Sequence, residues 1–86
     1  MGNPKWVVKK VIPTEDYKLY LTFEYDENKV FDIKLLLNQK QHEQLKNIQF
    51  FMKAHCDGTS VAWSEDYDIA PEYLYENSVP LENQVD

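Results

Sequence analysis

Residues 18 to 25, KLYLTFEY, alternate without a break: Leu19, Leu21, Phe23 and Tyr25 fall on one side, Lys18, Tyr20, Thr22 and Glu24 on the other. A side-chain period of two belongs to a strand with one face on a core and the other partly in water. Wound as a helix, the same residues would scatter their apolar groups around the whole circumference. This stretch therefore commits the chain to a sheet. Residues 29 to 34, KVFDIK, alternate again, with Phe31 and Ile33 opposed to Val30 and Asp32. The intervening DENK is a polar turn in which Asn28 is the residue suited to a positive φ, so the two runs predict an antiparallel hairpin. Upstream, WVVKKVIP is rich in β-branched residues, but Val8 and Val11 are three apart, which predicts a bulge between them. Pro13 ends that strand or places it at an edge, and PTEDYK is the turn that follows.

From Leu35 the pattern changes. Leu35, Leu36 and Leu37 predict a helical turn plugging the sheet, and Asn38 to Gln41 a polar loop. Leu45, Ile48, Phe51 and Met52 form a helix-like stripe, with Asn47 placed to cap a helix of about seven residues. HCDGTSVAWS returns to strand: Asp57–Gly58 is the strongest hairpin dipeptide in the chain. Val61 and Trp63 share one face; Ser60, Ala62 and Ser64 share the other. After the turn SEDY, Asp68 is expected near the start of a terminal helix with Pro71 and Glu72 in its first turn. Ile69, Tyr73 and Leu74 would be its buried face, continued by Asn77. The expected fold is a small α+β domain over residues 1–78. It has one antiparallel sheet of about five strands, with short helices between strands 3 and 4 and at the C-terminus. Residues 79–86 are expected to be a flexible tail.

The chain has 86 residues, 43 % hydrophobic and 14 % aromatic. A single domain of that size buries about 60–65 % of its unfolded surface. No apolar run is long enough to cross a bilayer. MGNPKW has no apolar signal region, and Trp6 stands where N-myristoylation needs Ser or Thr. Cys56 is the sole cysteine, so no internal disulfide forms, and a cytoplasmic setting is expected.

Charge is distributed unevenly. All nine basic residues are lysines, and none follows Lys53. Residues 57–86 carry eight acids and no base, −8; residues 1–56 carry nine lysines and seven acids, +2; the sum is the net −6. An acidic half repels phosphate backbones, and the lack of arginine removes the best bidentate reader of guanine. Direct nucleic-acid binding is not expected, whereas a basic protein partner suits such a surface.

Chemistry-bearing clusters are sparse. His55 and Cys56 are adjacent in a predicted strand and so point to opposite faces, and only His42 remains as a further soft ligand; no metal site is expected. Cys56 reads as a small buried thiol and the two histidines as surface residues. Asp32, Asp66 and Asp68 are explained by turns and caps rather than by acid–base chemistry. With only Gly2 and Gly58, there is no glycine-rich phosphate loop and no cofactor is expected. Among the aromatics, Trp63 and Tyr73 are expected in the core, with Tyr67 and Tyr75 half exposed. The candidate partner-binding surface is Tyr67, Asp68, Glu72, Tyr75 and Glu76, and the domain is expected to be non-enzymatic.

The order and spacing of VVKKVIPTEDYKLYLTFEYDENKVFDIKLLL, FFMKA and VAWSEDYDIAPEYLYENS resemble the bacterial family called domain of unknown function 2442, roughly over residues 7–78. Val8, Val11, Asp16–Tyr17, Leu19–Leu21–Phe23, Phe31–Asp32, Trp63, Asp68–Ile69 and Pro71–Glu72–Tyr73–Leu74–Tyr75 carry most of the resemblance. It implies a small α+β domain with an antiparallel sheet and no established enzymatic activity. Some relatives are fused to a C-terminal helix-turn-helix domain, which is not expected here because only about eight residues follow Ser78. Many are encoded beside a second small family, domain of unknown function 4160, as in toxin–antitoxin pairs. The resemblance thus implies an antitoxin-like chain with a small basic partner encoded nearby. Its alternative is an accessory or regulatory role shared with nucleic-acid-binding relatives, and a small enzyme is the weakest reading. An exposed sheet edge would permit a homodimer. The chain departs from the family at two turns. Glu65–Asp66 replaces the common Asn-Gly, with Asp66 expected to bear the positive φ, and the first hairpin also lacks Asn-Gly.

Overall fold

The computed structural model describes residues 2–81. It is α+β, with seven strands in two antiparallel sheets. The first sheet holds β1 (Val8–Pro13), β2 (Lys18–Phe23), β3 (Asn28–Asp32) and β7 (Val79–Pro80), in the order β1-β2-β3-β7. The second holds β4 (His55–Asp57), β5 (Ser60–Ser64) and β6 (Tyr67–Ile69), in that order. The expected single sheet is thus divided in two, and β6 and β7 are strands that the pattern did not announce.

The division follows from where the apolar faces point. Leu19, Leu21, Phe23, Phe31 and Ile33 from the first sheet and Val61, Trp63 and Ile69 from the second are all buried in one cluster. Leu36, Leu45, Phe51 and Leu74, from the helical segments, complete it. Sheets that share one core must face each other across it, which a single flat ribbon of short strands cannot do. The sheets are joined at β1, where the amide of Val8 donates to the carbonyl of Thr59 at 3.0 Å. The expected bulge in β1 lies between Val8 and Lys10, and Pro13 ends that strand at the edge of its sheet.

Both hairpins of the first sheet close in the same way. In the β1–β2 turn, Thr14 N donates to Lys18 O and Tyr17 N to Thr14 O; in the β2–β3 turn, Phe23 N donates to Glu27 O and Asp26 N to Phe23 O. The fourth residue of each turn is left-handed: Tyr17 at φ 66° and Asp26 at φ 64°. This is a type I turn followed by a left-handed bulge residue, a position where glycine is favoured. Asp26, not Asn28, therefore takes the positive φ, and the turn sits two residues earlier than expected. Asp66 does not take one either. The two-residue turn Glu65–Asp66 is instead accommodated by a register shift between Ala62 and Ser64. The Asp57–Gly58 hairpin forms as expected, with Gly58 at φ 68°, the pattern of a type II′ turn.

Residues 33–51 wind irregularly. A 3-10 turn, Ile33–Leu35, is capped by Asp32, whose side chain accepts from the amide of Lys34. Only Leu36 of the three leucines is fully buried, and Leu35 is 59 % exposed. The expected loop at 38–41 runs into a 3-10 segment, Lys40–Lys46, kinked at His42. Asn47 caps a helix as expected, accepting from Gln49 N at 2.9 Å, but α1 (Ile48–Phe51) has four residues rather than seven.

The terminal helix α2 (Pro71–Asn77) begins later than Asp68. The ring of Pro71 disfavours helical geometry at the residue before it, and Ala70 is extended, at φ −58° and ψ 136°. Asp68 and Ile69 consequently belong to β6. Ile69 reaches the core as a strand residue and Leu74 as a helical one, so both are buried by different routes. Tyr73, expected inside, is 38 % exposed. The expected tail is also corrected at its start. After Ser78 the chain returns along β3, with Val30 opposite Val79 and Lys29 opposite Pro80. Residues 82–86 of that expected tail lie outside the described residues.

Candidate functional site

A groove of about 310 Å³ opens where the kinked 3-10 segment meets the junction of β6 and α2. Its apolar walls are Leu36, Ile69, Ala70 and the ring of Tyr73; Gln39, Gln41, His42 and Asp68 supply its polar rim. Pro71 determines this geometry, because it holds Ala70 extended and turns the chain from strand to helix at the groove. A hollow of about 360 Å³ beside the β2–β3 turn is lined by Asp26, Glu27, Asn28, Pro80 and Leu81. Its lining has no aromatic ring.

One rim residue is tied to the core. His42 Nδ1 and the hydroxyl of Tyr67 lie 2.6 Å apart. Burial holds the imidazole below its ordinary value of 6.5 and pushes the Tyr67 phenol up to about 12. The phenol stays protonated and the imidazole neutral, so the two share a single hydrogen bond whose direction follows the imidazole tautomer. The Tyr67 ring rests against Trp63, Phe50 and His42, with centroids 5.4, 5.9 and 5.8 Å away. Trp63 is in turn anchored by its indole N–H, which donates to Phe51 O at 2.9 Å.

The five residues expected to form one partner surface differ in exposure. Tyr67 is half-buried, and its hydroxyl is engaged by His42. Tyr75 lies against the first sheet, its ring edge-on to Phe23 at 4.9 Å and beneath the Lys29 ammonium at 3.9 Å. Its hydroxyl donates to Glu27 at 2.6 Å, and this bond to a carboxylate raises its pKa. Asp68, Glu72 and Glu76 are exposed, and Asp68 stands on the groove rim. The structure thus joins Asp68 to His42, Gln39, Gln41 and Tyr73. The sequence holds no signal for that grouping, since Gln39, Gln41 and His42 are far from Asp68 and Tyr73 along the chain.

The remaining reactive groups are occupied locally. The Cys56 thiol is half-buried and donates to Val8 O at 3.0 Å; burial, with Asp57 beside it, raises its pKa. His55 is bonded to the carbonyl of Lys53, two residues away. His42 is half-buried, not a surface residue as expected. Among the described residues no group of three His, Cys, Asp or Glu is placed to hold a metal ion. No helix among them is long and apolar enough to cross a membrane.

Fold and groove together define a small α+β domain of two antiparallel sheets with a shallow, half-apolar recess. The chain belongs to the family described as protein of unknown function (DUF2442), whose model matches residues 8–80. No match was found among curated proteins or among solved structures.

Proposed function

We infer that this domain is a non-enzymatic interaction module that docks a small basic protein, as the antitoxin-like member of a two-gene pair would. The observation that carries the reading is the state of the acids after Lys53. Asp57, Glu65, Asp66, Asp68, Glu72 and Glu76 are all exposed. The ion pairs among the described residues, Lys9–Asp26 and Lys18–Asp16, involve none of them. Exposed carboxylates without an internal partner keep their full field for an external cation and speed its approach.

The groove adds specificity to that field. Its aliphatic walls suit the methylene stem of a lysine or arginine, and Asp68 stands where the charged head would emerge. Tyr73 supplies a rigid, half-exposed ring, the kind of residue that anchors interfaces. The bound Cys56 thiol and the neutral, hydrogen-bonded His42 favour binding over catalysis, because neither is paired as nucleophile and base.

Coexpression with the adjacent open reading frame tests this reading. At low salt the two proteins should copurify, and raising the salt should weaken the complex. The variant D68K/E76K should lose the partner while keeping its melting temperature. Absence of copurification at low salt would sink the proposal. A salt-sensitive shift of DNA or RNA by the purified domain would move it to the nucleic-acid reading.

A further inference from the structure

The outer face of the first sheet carries an apolar row that crosses all four strands in register. Ile12 lies opposite Tyr20, Tyr20 opposite Val30, and Val30 opposite Val79. Ile12, Tyr20 and Val79 are 48, 39 and 44 % exposed, and Val30 is covered between its neighbours. An outward strand face is normally polar, as Thr22 opposite Asn28 is in the next row. On the other side of the apolar row, Lys18 lies opposite Asp32.

We propose that this face is the two-fold interface of a homodimer. The argument is one of self-complementarity. Place a two-fold axis parallel to the strands, between β2 and β3. Each residue of β2 then faces, in the second copy, the residue it already pairs with across its own sheet. Tyr20 meets Val30 of the copy, Ile12 meets Val79, and Thr22 meets Asn28. Lys18 meets Asp32 on both sides of the axis, so the only acid in these rows is matched by a lysine. Asp32 accepts from Lys34 N through Oδ1, which leaves Oδ2 for that contact. The two sheets would pack in the aligned manner of a β-sandwich, and the interface would be isologous and closed.

Charge at this face does not oppose a second copy. The chain carries −6 overall, and like-charged copies repel across most of their surface. The Lys10, Lys18, Glu24 and Asp32 of this face sum to zero on the sequence's own charges. It is therefore a surface on which two copies approach without repulsion. The sheet edge, by contrast, is a poor site. The outer edge strand β7 has two residues, and β1 already accepts the β4–β5 turn at Val8. Strands spaced about 4.8 Å apart, of six, six, five and two residues, offer about 300 Å² per copy. That is below the size of stable specific interfaces, so the dimer should be weak and transient, with Kd of about 10–500 μM.

Sedimentation and amide NMR spectra across about 20 μM to 1 mM protein test this. The mass should rise toward two chains, and dilution should shift the amides of Ile12, Tyr20, Val30 and Val79 together. Y20E, at an exposed position, should weaken association at least tenfold, and K18E should weaken it by less. A chain that stays monomeric to about 1 mM overturns the proposal. So do dilution shifts confined to β6 and α2, or a Y20E variant that dimerises like the native chain. None of these outcomes bears on copurification of the basic partner, whose surface is elsewhere.

Discussion

Gly58 and His42 show how much a single position can control. A Cβ at Gly58 would meet no atom within 4 Å, so the cost of G58A is conformational alone. The left-handed φ of 68° costs an alanine about 1–2 kcal/mol, part of which is offset by the stiffer unfolded chain. The expected loss is about 1 kcal/mol, read as a lower denaturation midpoint with an unchanged m-value. His42 makes stability depend on pH. Its folded pKa lies below the ordinary 6.5 because burial disfavours the imidazolium. The unfolded state then binds the proton more readily, so stability falls as pH drops through 6.5 and levels off below the folded pKa. H42N should remove this slope between pH 7 and 5 in urea titrations. If the slope survives in H42N, the His42–Tyr67 account is wrong. His42 was legible in the sequence only as a histidine, because nothing local marks a side chain that will meet a phenol 25 positions away.

The terminal helix is governed at both ends by residues outside it. Ala70 occupies its N-cap and supplies no side-chain hydrogen bond. A70D should stabilise the domain by about 1 kcal/mol through the missing cap and the helix dipole, measured as a higher melting temperature. At the other end Lys29, buried on β3, donates to Tyr75 O at 2.7 Å and lies over the Tyr75 ring. K29M keeps most of the volume but removes the charged donor and the cation over the ring, and should cost about 1–3 kcal/mol. An unchanged melting temperature in K29M would mean that the ammonium is satisfied by water instead. Leu74 fixes the helix to the core, and L74A should cost about 2–5 kcal/mol. The long alternating runs, β2 and β3, were readable because six residues suffice to display a period. β6 and β7 were not, because three residues and two display none. Their pairing depends on the open edges of β5 and β3, which the segment itself does not encode.

Across the fold, charge and apolar surface are segregated. Apolar residues of both sheets close one core, the acids after Lys53 remain outside, and a near-neutral row is left on the back of the first sheet. With a net charge of −6, the folded chain repels itself at low ionic strength. Moving from about 10 to 150 mM salt should therefore raise the melting temperature modestly. A fall instead would show that the Lys9–Asp26 and Lys18–Asp16 pairs outweigh the acidic surface. The uneven charge could be counted along the chain, since it needs no knowledge of contacts. So could the inward residues of β2, β3 and β5, the bulge in β1 and the Asp57–Gly58 turn, because each depends on neighbours one to four positions away. The split into two sheets, the place of Asp68 on a strand, the groove and the cross-sheet row Ile12–Tyr20–Val30–Val79 arose only on folding. Each joins residues far apart in the chain, and such a meeting is set by which apolar faces must share a single core.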